Sequence, residues 1–233
     1  MTVLTVCLMA LFVRLGFWQW HKAQLKSAQL AQYNLGGQTV ADLGSRRTDE
    51  LQRFAVIDVE GRYDGEHQFL LDNISHHGRP GYEVLTPLQL DDGRLLIVNR
   101  GWVPLVGNRS QLPDVQLAAG AAGAAGAALR VAGRLDNLPV VGISLGHIPP
   151  AMDSHWPKLT SFPTMSDLST ALQHPLESRQ LLLNPDQPSG FVREWQLAGF
   201  GPARYLSYAV QWWAFATLAL ILYGCLNWRR SRS

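Results

Sequence analysis

The chain has 233 residues, 47% hydrophobic and 16% charged, with a formal net charge of +2, a balance that excludes a disordered, collagen-like or nucleic-acid-binding tail. Its two cysteines, Cys7 and Cys225, exclude a disulfide framework and a cysteine-based zinc site. The near-neutral total hides a partition: all 18 acidic residues lie between Asp42 and Glu194, where 13 basic residues leave a balance of −5, while the two ends carry 7 basic residues and no acidic one.

Residues 1–20 contain a single charged side chain, Arg14. At 1.5 Å per residue a helix of this length spans about 30 Å, the thickness of a bilayer core, and the segment is predicted to be a transmembrane helix. A cleavable signal is disfavoured, because no basic region precedes the apolar run and no small-x-small site follows it soon after. Residues 21–37 are rich in helix formers, which predicts that the helix continues out of the membrane until Gly36-Gly37.

Residues 38–203 read as a β-rich domain. A short helix is expected around Thr48–Arg53, followed by strands at 54–59, 67–71, 82–90, 95–103, 129–135 and 180–183. Asp91-Asp92-Gly93 is a hairpin signal between the third and fourth of these. The fragments Val59-Glu60-Gly61-Arg62-Tyr63 and Val131-Ala132-Gly133-Arg134-Leu135 share a pattern that marks equivalent strand ends in one barrel or sandwich. Residues 117–128 form a loop insertion, whose alanine-glycine repeat buries little. Thr164-Met165-Ser166-Asp167 resembles a capping box opening a short helix.

Residues 205–228 form a second predicted transmembrane helix, followed by a basic tail at 229–233. Positive residues after a span stay in the cytoplasm, which places both termini inside and the central domain outside. Phe17, Trp18 and Trp20 on one helix and Tyr205, Tyr208, Trp212 and Trp213 on the other then form an outer aromatic belt. The expected fold is two transmembrane α-helices flanking an extracytoplasmic β-rich domain with minor α, barrel- or sandwich-like.

Gly142-Ile143-Ser144-Leu145-Gly146, with His147 beside it, matches the nucleophile elbow of a serine hydrolase. That elbow needs a strand before it and a helix after it, and Pro139 on one side with Pro149-Pro150 on the other disfavours both. A membrane-tethered hydrolase using Ser144 and His147 is therefore the alternative reading, with a structural or sensory outer domain as a third. No catalytic residue is assigned. The seven histidines show no helical two-ligand spacing, His76 and His77 point to opposite sides of an extended chain, and no metal site is expected. The acidic balance of the middle segment also speaks against a nucleic-acid partner.

Arg14, Trp18 and His21 share a helix face at spacing i, i+4, i+7 and are candidates to line a site between the two spans, with Gln211 facing them. The alternative for Arg14 is a side chain that reaches the membrane interface through its long stem. Arg100 and Trp102 are candidate partner-binding residues. Their other reading, favoured by the large apolar area of tryptophan, is a strand end where Trp102 packs and Arg100 pairs with an acid.

Several motifs resemble the surfeit-locus-one family of membrane proteins that assist cytochrome c oxidase assembly. They are Leu15-Gly16-Phe17-Trp18-Gln19 with Lys26, Gly81-Tyr82 with Thr86-Pro87-Leu88, the block Val98-Asn99-Arg100-Gly101-Trp102-Val103-Pro104, and Tyr208-Ala209-Val210-Gln211-Trp212. The resemblance implies a non-enzymatic factor of the bacterial inner membrane that handles haem a or helps insert it. The implied partners are the catalytic subunit of cytochrome c oxidase and a haem a synthase, beside membrane lipid. It also implies haem-proximal positions at Tyr205 and Trp212. Where the family has a histidine this chain has Tyr205, and where it has an arginine this chain has Lys22. A neutral phenol is a poor ligand for haem iron, which moves the candidate contact to His21.

Overall fold

The computed structural model describes residues 2–37, 40–107, 111–117, 128–139, 146–197 and 199–230. The elements in chain order are α1 (Thr2–Gly36), β1 (Val40–Ala41), β2 (Val56–Tyr63), β3 (Phe69–His76), β4 (Arg79–Leu90), β5 (Leu95–Pro104), β6 (Leu129–Asp136), β7 (Lys158–Thr160), α2 (Met165–Leu172), β8 (Gln180–Leu183) and α3 (Pro202–Arg230). The chain separates into a helical unit, Met1–Gln32 with Gln196–Ser233, and a β-rich unit, Tyr33–Trp195.

In the helical unit, α1 and α3 are both long and apolar enough to cross a membrane, and only 6% and 11% of their most apolar windows is buried. Val3, Leu4, Leu11 and Phe17 on α1 and Leu218, Leu220, Ile221 and Leu222 on α3 are all exposed. The core helix of a water-soluble protein buries such side chains, whereas a bilayer accommodates them on all sides.

The β-rich unit is built from one eight-stranded sheet in the order β1-β2-β6-β8-β5-β4-β3-β7, and a further pairing of β2 with β4 closes β2, β6, β8, β5 and β4 into a five-stranded barrel. Alternation does the sorting on β2 and β6. Ile57, Val59 and Tyr63, with Val131 and Leu135, turn inward and meet Leu88, Leu96, Val98, Leu181 and Leu183 in the barrel core, while Glu60, Arg62 and Arg130 stay exposed. Each fully buried leucine or isoleucine contributes about 1.5–3 kcal/mol. The outer face of the sheet carries a second cluster, in which Leu168 of α2 covers Phe69, Leu85 and Ile97.

The two similar fragments occupy equivalent places. Gly61 lies where β2 meets β4 and Gly133 where β6 meets β8. A Cβ at Gly61 would stand 2.6 Å from the Gln89 carbonyl oxygen, and one at Gly133 would stand 2.4 Å from that of Leu182. Both glycines therefore permit the close strand approach that closes the barrel.

Asp91-Asp92-Gly93 is the β4–β5 turn, with Leu90 N–H donating to the Arg94 oxygen at 2.9 Å and Gly93 at φ +86°. Thr164 and Asp167 form the expected capping box on α2. The helix expected around Thr48–Arg53 is absent. Thr48 donates its N–H and its hydroxyl to Glu177 Oε2, at 2.8 and 3.0 Å, and Arg179 Nη1 donates to the carbonyls of Thr48 and Leu51 at 2.8 and 2.6 Å. These long-range partners satisfy backbone groups that a helix would have paired, and the segment settles as turns. The strands β1 and β7 escaped the sequence pattern because runs of two and three residues are too short to show alternation. The alanine-glycine repeat lies outside the described residues except for Ala128.

Candidate functional site

The helical unit carries an antiparallel helix pair: Thr2 meets Tyr223, Gly16 meets Trp213 and Lys26 meets Gly199. The less exposed residues of α1 include Thr5, Met9, Phe12, Gly16, Gln19, Ala23 and Lys26, and those of α3 include Pro202, Tyr205, Ala209, Trp212, Ala216, Ala219 and Tyr223. Both series alternate steps of four and three, the seam of a left-handed helix pair. Small residues, Gly16, Ala23 and Ala209, are the buried members. Large rings fill the flanks, with Phe12 stacked on Trp212 at 5.7 Å and Phe17 edge-on to Trp213 at 5.6 Å.

This phase corrects the expected inter-helix site. Arg14, Trp18 and His21 do share a face, but it is exposed and lies off the seam. On the other helix Gln211 is exposed too, whereas Tyr205 and Trp212 lie in the seam and are partly buried. Trp18 is engaged by Lys22, whose Nζ stands 3.8 Å from the centre of its ring. Sequence reasoning missed Gln19, whose Oε1 is buried with no hydrogen-bond partner among the described residues. Its place between Gly16 and Ala23, three residues after one and four before the other, was the available signal.

Between the helices the residues do not fit a haem. A Cβ on Gly16 would already stand 2.2 Å from Trp213 Nε1, so no slot for a macrocycle exists at that level, and no histidine lies in the seam. His21 lies on the exposed face of α1.

The Asn99-Arg100-Gly101-Trp102 block owes its composition to a bulge in β5. The β4–β5 register shifts between Glu83 and Leu85, and Gly101 adopts φ +109° with Val192 O 2.6 Å from where a Cβ would sit. The bulge turns Arg100 inward, where it is 1% exposed. Its Nη1 donates to Gln68 Oε1 at 2.9 Å and to the Val115 carbonyl at 3.0 Å, and its Nε donates to the Ser189 carbonyl at 2.7 Å. Among the described residues no carboxylate pairs with it. Burial pushes the Arg100 guanidinium down to about 10, so it remains charged at neutral pH. Burial likewise pushes the phenol of Tyr63 up, against the pull of Arg100, and holds Glu83 above the usual carboxylate range although Asn99 Nδ2 donates to it at 2.7 Å.

Trp102 is 8% exposed and donates from Nε1 to the Ile74 carbonyl at 3.3 Å. Neither Arg100 nor Trp102 offers its side chain to a partner, and the acid expected beside Arg100 is replaced by carbonyl and amide oxygens. Replacing Gly101 by alanine is expected to lower stability by about 2–3 kcal/mol, through the strained φ and the clash with a backbone oxygen, and a shifted urea midpoint checks it.

Ser144 lies outside the described residues. His147 Nε2 meets Asp167 Oδ2 at 3.0 Å, but that oxygen already accepts from the N–H and hydroxyl of Thr164 in the α2 cap. After Gly146 the chain passes into the Ile148–Ser161 bridge and two prolines, not the helix that a nucleophile elbow requires.

The chain is of a class in which a small closed barrel is inserted in the sequence between two helices long and apolar enough to cross a membrane. The chain belongs to the SURF1 family: the family model matches residues 6–217, which takes in most of both helices and the whole β-rich unit. The family is one of cytochrome c oxidase assembly factors. No curated protein matches the chain.

Proposed function

We propose that this chain is a non-enzymatic assembly factor of the bacterial inner membrane that assists haem a handling or its insertion into the catalytic subunit of cytochrome c oxidase. Both termini lie in the cytoplasm and the barrel in the periplasm, a topology supported by the basic residues at the C-terminal end of α3 and just after it, Arg229, Arg230 and Arg232. The observation that carries the reading is the family match over residues 6–217. Haem a is cargo here. The packed seam between the helices leaves the outward face of α1, with Arg14, Trp18 and His21, as the surface that meets cargo held by the oxidase subunit or a haem a synthase.

Deleting the gene is expected to weaken the haem a absorption band of the oxidase in isolated membranes and to lower oxidase activity; an unchanged band with full activity overturns the assignment. In the deletion strain, a His21→Ala gene is expected to restore less of the band than the wild-type gene at equal protein level. Full restoration removes the haem-facing role of His21 and leaves the assembly role standing.

A further inference from the structure

A cluster of donors in the β-rich unit belongs to no part of this reading. The β3–β4 hairpin turns through two residues, His77 at φ 48° and Gly78 at φ 76°, with His76 paired to Arg79. Two successive positive φ values are those of a type I′ turn. Its first central position favours asparagine, aspartate or glycine, and a histidine there holds conformational strain that the turn itself does not require. The left-handed conformation also undoes the strand alternation. The rings of His76 and His77 lie on one side with centroids 4.3 Å apart, in place of the opposed orientation expected from an extended chain.

Glu194 completes the group. The Trp102–Val192 bridge, closed by Trp102 N–H to Val192 O at 2.8 Å and Val192 N–H to Trp102 O at 3.1 Å, anchors the segment that bears Glu194 two residues later. Glu194 Oε2 lies 3.0 Å from His77 Nε2 and 3.7 Å from His76 Nε2. One ligand atom from each of the three residues falls within 4.8 Å of the other two. His76 rests on the Trp102 ring at 5.1 Å, which holds one donor in place, while His77 and Glu194 remain accessible.

We propose that His76, His77 and Glu194 form a site for a divalent first-row transition metal ion, with zinc best matched to the donors. Two imidazole nitrogens and one carboxylate oxygen are a three-ligand zinc set, leaving a fourth position for water or an incoming ligand. With bonds of about 2.0–2.2 Å the donors around zinc lie about 3.2–3.5 Å apart, so the His77–Glu194 pair at 3.0 Å opens slightly and the His76–Glu194 pair at 3.7 Å closes slightly around an ion. The two histidines are adjacent in sequence and separated by over a hundred residues from Glu194, which is why no spacing motif announced them.

Zinc chloride titrated calorimetrically into the untagged full chain in detergent tests this. One zinc ion is expected to bind per chain, with affinity reduced about tenfold or more in His77→Ala and in Glu194→Gln. His155→Ala, which alters an exposed histidine paired with Asp153, is expected to bind as the wild type does. Cobalt in place of zinc is expected to show visible d–d absorption that both ligand variants lose. Because His77 and Glu194 are at the surface, circular dichroism of the variants is expected to match the wild type. Absence of binding, or binding that His77→Ala and Glu194→Gln leave unchanged, means the cluster is a histidine–carboxylate ion pair only and overturns the proposal.

Discussion

Replacing Arg100 by alanine is expected to destabilise the protein by about 3–5 kcal/mol, measured as a lower urea midpoint for the full chain in detergent. Three acceptors, Gln68 Oε1 and the carbonyls of Val115 and Ser189, take hydrogen bonds from this one guanidinium; in its absence Gln68 Oε1 keeps the Thr86 hydroxyl and the Val115 carbonyl keeps Gln68 Nε2, so the Ser189 carbonyl is the acceptor most exposed to the loss. Each hydrogen bond to a charged donor contributes about 1.5–3 kcal/mol, and each buried acceptor left without a donor costs about 1–3 kcal/mol. The values overlap and do not add, and the vacated volume brings a further cavity cost. Arg100→Lys keeps the charge but loses the planar fork, so it reaches fewer of the three acceptors; a loss of about 2 kcal/mol is expected. Arg100→Met, which fills most of the volume without donating, is expected to fall near alanine. A value for Arg100→Ala within about 1 kcal/mol of the wild type would show that water replaces the guanidinium, and the buried network would lose its structural importance.

Gly16→Leu is expected to force the helix pair apart. The added side chain begins 2.2 Å from Trp213 Nε1, inside any permissible contact, and the opposing group is an indole wedged edge-on against Phe17. Overpacking of this kind costs about 1–3 kcal/mol, and helix pairs in a bilayer have little but van der Waals packing to offset it. The expected readouts are a lower thermal midpoint in detergent and a weaker haem a band in membranes. Gly224→Leu is the control, because nothing lies within 4 Å of a Cβ there and the change adds an apolar side chain of the kind that lipid accepts. Trp213→Ala is expected to recover part of the loss when combined with Gly16→Leu, since it opens the space that leucine needs. Equal effects at Gly16 and Gly224 would mean that the seam does not bear on stability.

The strands at the barrel centre were legible because their pattern is local. Tyr82–Leu90 and Leu95–Val103 are continuous runs of strand formers, and the Asp-Asp-Gly turn between them satisfies its own geometry within three residues. Thr48–Arg53 was misread for the opposite reason: its helix-like composition yields to Glu177 and Arg179, more than a hundred residues away. The inter-helix site was misplaced because these long helices are apolar all round. Without a polar face there is no amphipathic phase to read, and a chemically attractive triad such as Arg14, Trp18 and His21 then points where no partner helix stands.

What the sequence by itself determined is what depends on near neighbours and on solvent class: the two long apolar helices, the acidic β-rich middle between them, the hairpin and the capped α2. Barrel closure, the helix phase, the inward turn of Arg100 and the meeting of His76 and His77 with Glu194 were decided only in three dimensions. Each depends on a contact between distant segments: Gly61 against Gln89, Gly16 against Trp213, Trp102 against Val192. A glycine or a bulge marks where such contacts are sterically possible, but the partner that fills the space is set by packing of the whole unit.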